Sequence, residues 1–156
     1  MVKLRWRQEV YREVQAETLE EVVREALREI PGDNFFIEDA GLFISALNGF
    51  PGVYSAYVFK KIGNEGILKL LKGEENREAV FRSVVGLKLS GEVRLFTGEV
   101  RGRIASEPKG SAGFGYDPIF IPSGYSATFA EAPELKQELS HRRRALEKLA
   151  AYLSRL

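Results

Sequence analysis

Two long segments, Ala79 to Leu89 and Glu92 to Ala105, are separated only by Ser90 and Gly91. A two-residue connection containing glycine is a common way to reverse an extended chain, because the tight turn needs backbone angles that glycine adopts at no steric cost. The pair therefore predicts one long antiparallel hairpin, and whatever else the chain forms must pack on it or beside it. Helical signals surround it. Thr18 followed by Glu21 has the form of a capping box, and Leu19, Val22, Val23, Ala26, Leu27 and Ile30 then recur at helical spacing up to Pro31-Gly32, which predicts a helix between those limits. A last helix is predicted from Ser140, a good N-cap, to the terminus, with Leu146, Leu149, Ala150 and Leu153 on one face.

Shorter elements fill the gaps. Val2, Leu4, Trp6 and Val10 occupy even positions among polar neighbours, the period of a half-buried strand. Phe35-Phe36-Ile37 predicts a short buried strand that ends at Glu38-Asp39, and Ile119-Phe120-Ile121, bounded by Pro118 and Pro122, predicts another. Asn64 to Leu71 reads as a short amphipathic helix closed by Gly73. Helices, strands and a hairpin in irregular order place the chain in the α/β or α+β class, on one mixed, twisted sheet with flanking helices. At 156 residues it is expected to form a single domain, 1–156.

Composition removes several classes of function. Twenty-three Lys and Arg against 22 Asp and Glu leave a net charge of +1, so no global field attracts nucleic acid, and an anionic ligand must be met by a local cluster. Cysteine is absent, which excludes disulfides, thiol catalysis and thiolate metal sites. No apolar run approaches the roughly 20 residues of a membrane span. The opening MVKLRWRQEV lacks the apolar stretch of a signal peptide. The expected setting is the cytoplasm, with no membrane or nucleic-acid partner.

Four clusters carry groups suited to chemistry, each with an ordinary structural alternative. Glu38 and Asp39 are adjacent carboxylates suited to a hard divalent cation or to general-base work; a solvated turn would use the same residues. Glu17 stands where a helix begins, a place the helix dipole already explains. Gly113-Phe114-Gly115-Tyr116-Asp117-Pro118 either exposes a ring for stacking on a nucleobase or forms a tight turn with two core aromatics. Ser140-His141-Arg142, with Lys136 four residues earlier, gathers hydroxyl, imidazole, guanidinium and helix N-H donors suited to a base or phosphate; an N-cap followed by surface charge would look the same.

Each cluster is modest alone, but their order is specific. Glu38-Asp39-Ala40-Gly41-Leu42, then Pro51-Gly52-Val53-Tyr54-Ser55, then Phe114-Gly115-Tyr116-Asp117-Pro118, then Lys136 and Ser140-His141-Arg142 together resemble the inosine triphosphate pyrophosphatase family. Phe96-Thr97-Gly98 and Gly102-Arg103-Ile104 in the hairpin fit the same pattern, which runs from about Gln15 to the C-terminus. The resemblance implies Mg2+-dependent hydrolysis of ITP, dITP and XTP to monophosphate and pyrophosphate, usually by a homodimer. It assigns Asp39 to positioning or deprotonating the attacking water, and Glu17, Glu38 and Asp39 to the metal. Phe114 would stack on the purine, with Tyr116 in the same substrate-binding group. Asp117, Ser140, His141 and Arg142 would read the base edge, and Lys136 would contact the nucleotide.

Departures from the family pattern set a second expectation. Ala40 stands where Ser is common and Gln137 where Asn is usual. The family's opening Ser/Thr-x-Asn-x-x-Lys phosphate-binding motif does not occur ahead of Glu38. If Met1 is the native start, base preference should survive better than catalytic rate, and the alternative is a nucleotide-binding remnant with weak or no turnover.

Overall fold

The computed structural model describes residues 3–8 and 16–156. Its centre is the expected hairpin: β2 (Glu78–Leu89) and β3 (Glu92–Ile104) pair antiparallel along their full length. Ser90 and Gly91 both take positive φ, 53° and 77°, the backbone of a two-residue turn whose twist matches its strands. β1 (Phe35–Ile44) lies on the outer side of β2, and β4 (Phe120–Pro122) on the outer side of β3. The α+β class therefore holds. Among the described residues every strand pairing is antiparallel.

Period-two alternation sorts the two faces. On one, Val84 packs with Leu19, Val23 and Leu27 of α1 (Leu19–Glu29). The Thr18 hydroxyl caps α1 by accepting from the Glu21 N-H at 3.2 Å, as the capping-box spacing predicts. Gly86 is required on this face, because a Cβ there would collide with Val23 and Leu27. On the other, Val85 and Leu87 pack with Ala145 and Leu149 of α4 (His141–Leu153). The largest core cluster continues along this face, joining Leu42, Ile44 and Phe81 to Val58 and Ile67 of α2 (Ser55–Leu70) and to Phe120 and Phe129.

Several expectations are corrected. Leu4 and Trp6 are 70% and 83% exposed and residues 3–8 carry no strand, so they form no half-buried element; Val2 and Val10 lie outside the described residues. β1 does not stop at Glu38-Asp39 but continues to Ile44, because Ala40 and Gly41 pair with Ser83 and Arg82 on β2. α2 starts at Ser55 rather than Asn64. Gly63, at φ 61° and ψ −167°, kinks it instead of ending it, a conformation open to glycine alone. Pro133–Leu139 forms a further helix, α3, with Pro at its first turn; its seven residues are too few to show a periodic signal. Along α4 the buried positions are His141, Ala145 and Leu149, while Ala150 is exposed.

Candidate functional site

A cleft of about 600 Å³ opens between the middle of β1, the first turn of α2, the loop at 114–117 and the start of α4. The loop is built around a buried carboxylate. Asp117 is 3% exposed, and its Oδ2 accepts from the Phe114 backbone N-H at 3.1 Å and the Lys136 ammonium at 2.6 Å. Gly113, at φ 73°, permits this wrap, since a Cβ would strike that same oxygen. The Asn64 side-chain amide donates to the Gly115 carbonyl at 3.1 Å and ties the loop to α2.

Within the loop the two aromatic rings part company. Tyr116 is buried, meets Phe59 edge-on with centroids 5.1 Å apart, and donates its hydroxyl to the Ser55 carbonyl at 2.7 Å. Burial pushes that hydroxyl up to about pKa 12. Its polar end is committed to the fold, so it shapes the cleft wall through its ring. Phe114 turns outward and is 65% exposed. The Lys136 ammonium sits 4.0 Å from its centroid and the Arg142 guanidinium carbon 5.9 Å, so an open aromatic ring stands beside two cations.

The start of α4 supplies the facing groups. Ser140 is the N-cap, its Oγ accepting from the Arg143 N-H at 3.1 Å. Helix geometry then sends His141 and Arg142 toward the cleft. His141 stacks on Phe81 at 4.8 Å with the planes 13° apart. Burial first, and then the charges of Arg142 and Lys136, bring its pKa down to about 3, so the ring is neutral at physiological pH. Its Nδ1 is buried without a hydrogen-bond partner, which singles it out as a polar atom awaiting one. Gly98 sets the height of this helix above β3, because a Cβ there would collide with the His141 carbonyl and the Ala145 N-H.

The Glu38 and Asp39 side chains leave β1 on opposite sides. Adjacent residues on a strand face opposite ways. Glu38, opposite Val85, lies on the α4 face, and Asp39, opposite Val84, on the α1 face. Glu38 Oε2 accepts from the Ser83 hydroxyl at 2.7 Å and from Arg142 Nε at 3.0 Å. Asp39 Oδ1 accepts from the Ala40 N-H at 2.9 Å. Glu17, just ahead of α1, is exposed and opens onto a separate depression beside Phe43, Gly52 and Tyr54.

Among the described residues no three acidic or imidazole side chains come together as a ready-made metal cage. Mg2+ does not require one, since it is commonly held by one or two carboxylates with substrate phosphates and water completing the shell. Asp39, a hard oxygen donor on the α1 face of β1, suits that mode; Glu17 opens onto the separate depression and Glu38 lies on the other face. Of the other residues singled out in the sequence, Phe114, Tyr116, Asp117, Lys136, Ser140, His141 and Arg142 all line the one cleft with Glu38 and Asp39. Ser83, Asn64 and Phe81 had not been singled out. A lone hydroxyl in the run Val80 to Val85 was the available signal for Ser83.

The sequence pattern of the Ham1 family matches residues 2–152. The chain is 58% identical over 147 residues to the dITP/XTP pyrophosphatase of Methanopyrus kandleri, covering 91% of this chain and 78% of the relative. It is 56% identical to the Thermococcus kodakarensis protein of the same name, covering 92% and 79%. Among solved structures, the Staphylococcus aureus Ham1 protein superposes with a TM-score of 0.81 at 34% identity, over 92% of this chain and 79% of that one. A HAM1 protein from Coxiella burnetii gives 0.85 at 32%, over 94% and 81%.

Proposed function

The chain belongs to the Ham1 family, and on that premise we propose that it hydrolyses the non-standard purine nucleoside triphosphates ITP, dITP and XTP to monophosphate and pyrophosphate. The observation that carries this reading beyond kinship is the convergence of Phe114, Asp117, Lys136, His141 and Arg142, from separate chain segments, on one cleft. The reading makes the chain a single working domain over 1–156, a homodimer and a cytoplasmic enzyme of the nucleotide pool. No helix among the described residues is long and apolar enough to cross a membrane.

In this mechanism the purine stacks on Phe114 and turns its edge to α4. Arg142 donates to the 6-oxo group of hypoxanthine or xanthine. Neutral His141 supplies one donor and one acceptor, and Ser140 a hydroxyl. Adenine presents an amino group where Arg142 needs an acceptor, and leaving buried donors unpaired costs about 1 to 3 kcal/mol each, enough for tenfold or greater discrimination. At the other end of the nucleotide, Asp39 orients a water and takes its proton as the water oxygen bonds to the α-phosphorus. The bond from that phosphorus to the bridging oxygen breaks, and pyrophosphate leaves. Glu17 and Asp39 would hold Mg2+, which supplies charge stabilisation on the phosphate oxygens. Lys136, released from the ring, follows the nucleotide as a mobile point charge.

Pyrophosphate release from ITP, dITP, XTP, ATP and GTP at saturating Mg2+ tests the reading. Comparable kcat/KM for ATP and ITP would overturn it.

A further inference from the structure

We propose that Glu38 and Ser83 are positioning residues that aim the Arg142 guanidinium at the purine, and that Glu38 takes no part in holding the metal. The inference rests on the nucleotide reading above and concerns how its base-reading side is built.

Topology separates the two carboxylates before any contact is considered. β1 pairs with β2 in unbroken register from Phe35 to Ile44, so no bulge intervenes to bring neighbouring side chains to one face. Glu38 stands over the α4 face with Val85, and Asp39 over the α1 face with Val84. Both residues border the cleft, but their side chains leave β1 on opposite faces.

What Glu38 does instead is visible in its partners. Ser83 is fully buried, in a strand segment whose neighbours Phe81, Val84 and Val85 are all buried and apolar. A hydroxyl in such a place is costly unless bonded, and it donates to Glu38 Oε2 at 2.7 Å. The same oxygen receives Arg142 Nε at 3.0 Å. Side-on contact through Nε pins the guanidinium plane while leaving the forked end, with its four terminal N-H bonds, directed away from the carboxylate. The Arg142 side chain is 46% exposed and would otherwise sample many rotamers. Glu38 fixes it before the ligand arrives, with its carbon 5.9 Å from the Phe114 ring centre, and so removes an ordering cost from the binding step. A second carboxylate-cation pair stands beside the same ring, where buried Asp117 bonds Lys136 in the unliganded cleft. Each cation beside Phe114 has its own carboxylate, and each carboxylate is itself fixed by a second donor.

Titration calorimetry with inosine monophosphate in EDTA reads the base side without any metal. Glu38→Ala should weaken binding by about tenfold, the scale of a lost charge-assisted hydrogen bond, and Ser83→Ala by a smaller factor. Glu38→Gln, which keeps the shape and an acceptor oxygen, should recover part of the loss. The double variant Glu38→Ala/Arg142→Ala should bind no more weakly than Arg142→Ala alone, because Glu38 acts through Arg142. In turnover assays KM for ITP should rise in Glu38→Ala while the Mg2+ concentration for half-maximal rate stays at the wild-type value. Unchanged nucleotide affinity in folded Glu38→Ala, additive losses in the double variant, or a raised Mg2+ requirement with nucleotide affinity intact would each overturn the proposal. A wild-type chain that does not bind inosine monophosphate would overturn the nucleotide reading and this inference with it. Wild-type binding with indifferent variants overturns this inference alone.

Discussion

The Lys136 ammonium lies 4.0 Å from the centre of the Phe114 ring while bonded to Asp117 at 2.6 Å. One cation thus links an exposed aromatic to a buried carboxylate. Phe114→Ala should therefore weaken inosine monophosphate binding by the worth of a stacked base, about 1 to 3 kcal/mol, with little loss of stability. Calorimetric titration beside a thermal melt checks it. Unchanged affinity with a sharply lowered Tm would make the ring a core element.

Asp39 should be dispensable for folding and required for turnover. Its Oδ1 accepts from the adjacent Ala40 N-H at 2.9 Å, a contact that the side-chain oxygen of Asn can keep. Asp39→Asn should lower kcat by about a hundredfold or more, the scale of general-base catalysis. Its Tm should stay within about 4 °C of the parent, a shift equivalent to roughly 1 kcal/mol. Near-parental turnover would remove Asp39 from the mechanism.

His141 predicts a pH dependence of stability. Its pKa falls from 6.5 to about 3 on folding, so between those values the unfolded chain binds the extra proton and acid favours unfolding. The native state is unaffected by this group above about pH 6.5 and loses stability progressively below it, by about 2 kcal/mol at pH 5. Denaturant melts from pH 7.5 to 5 should show this slope in the wild type and a shallower one in His141→Gln. Equal slopes would mean that the ring is protonated in the fold. Base preference should show no inflection near pH 6.5 from this residue.

Gly98→Ala should couple stability to recognition. The added methyl meets the backbone of α4 at His141 and Ala145, and overpacking of this kind costs about 1 to 3 kcal/mol. Because that helix carries His141 and Arg142, nucleotide affinity should fall along with Tm. Lowered stability with unaltered affinity would show that the purine site does not depend on the height of the helix.

The proposed homodimer is checked by sedimentation at micromolar concentration. The long β2–β3 hairpin is larger than a small domain needs and is the expected interface. A monomer throughout that range would count against it.

Local rules reached most of the secondary structure and most of the cleft. The Ser90-Gly91 turn, the Thr18 cap and the Ser140 cap were legible because each depends on residues within a few positions of one another. Phe114, Asp117, Lys136 and His141 were legible through residue type and order. Period alone misled at Leu4 and Trp6, because alternation describes which side chains would share a face and not whether anything covers that face. The helix expected from Asn64 instead begins at Ser55 and bends at Gly63, a kink that no local spacing announces.

The sequence by itself determined which chemical groups are present, where the β2–β3 hairpin turns and where α1 and α4 begin. Tertiary structure alone decided that Glu38 and Asp39, joined by one peptide bond, serve opposite faces. That outcome depends on β1 continuing through Ala40 and Gly41, which happens because Ser83 and Arg82, far along the chain, offer them backbone partners. It decided as well that Ser83 and Arg142 meet on one oxygen of Glu38. Hydrogen-bond register and helix docking are satisfied between distant segments, and no local pattern encodes them.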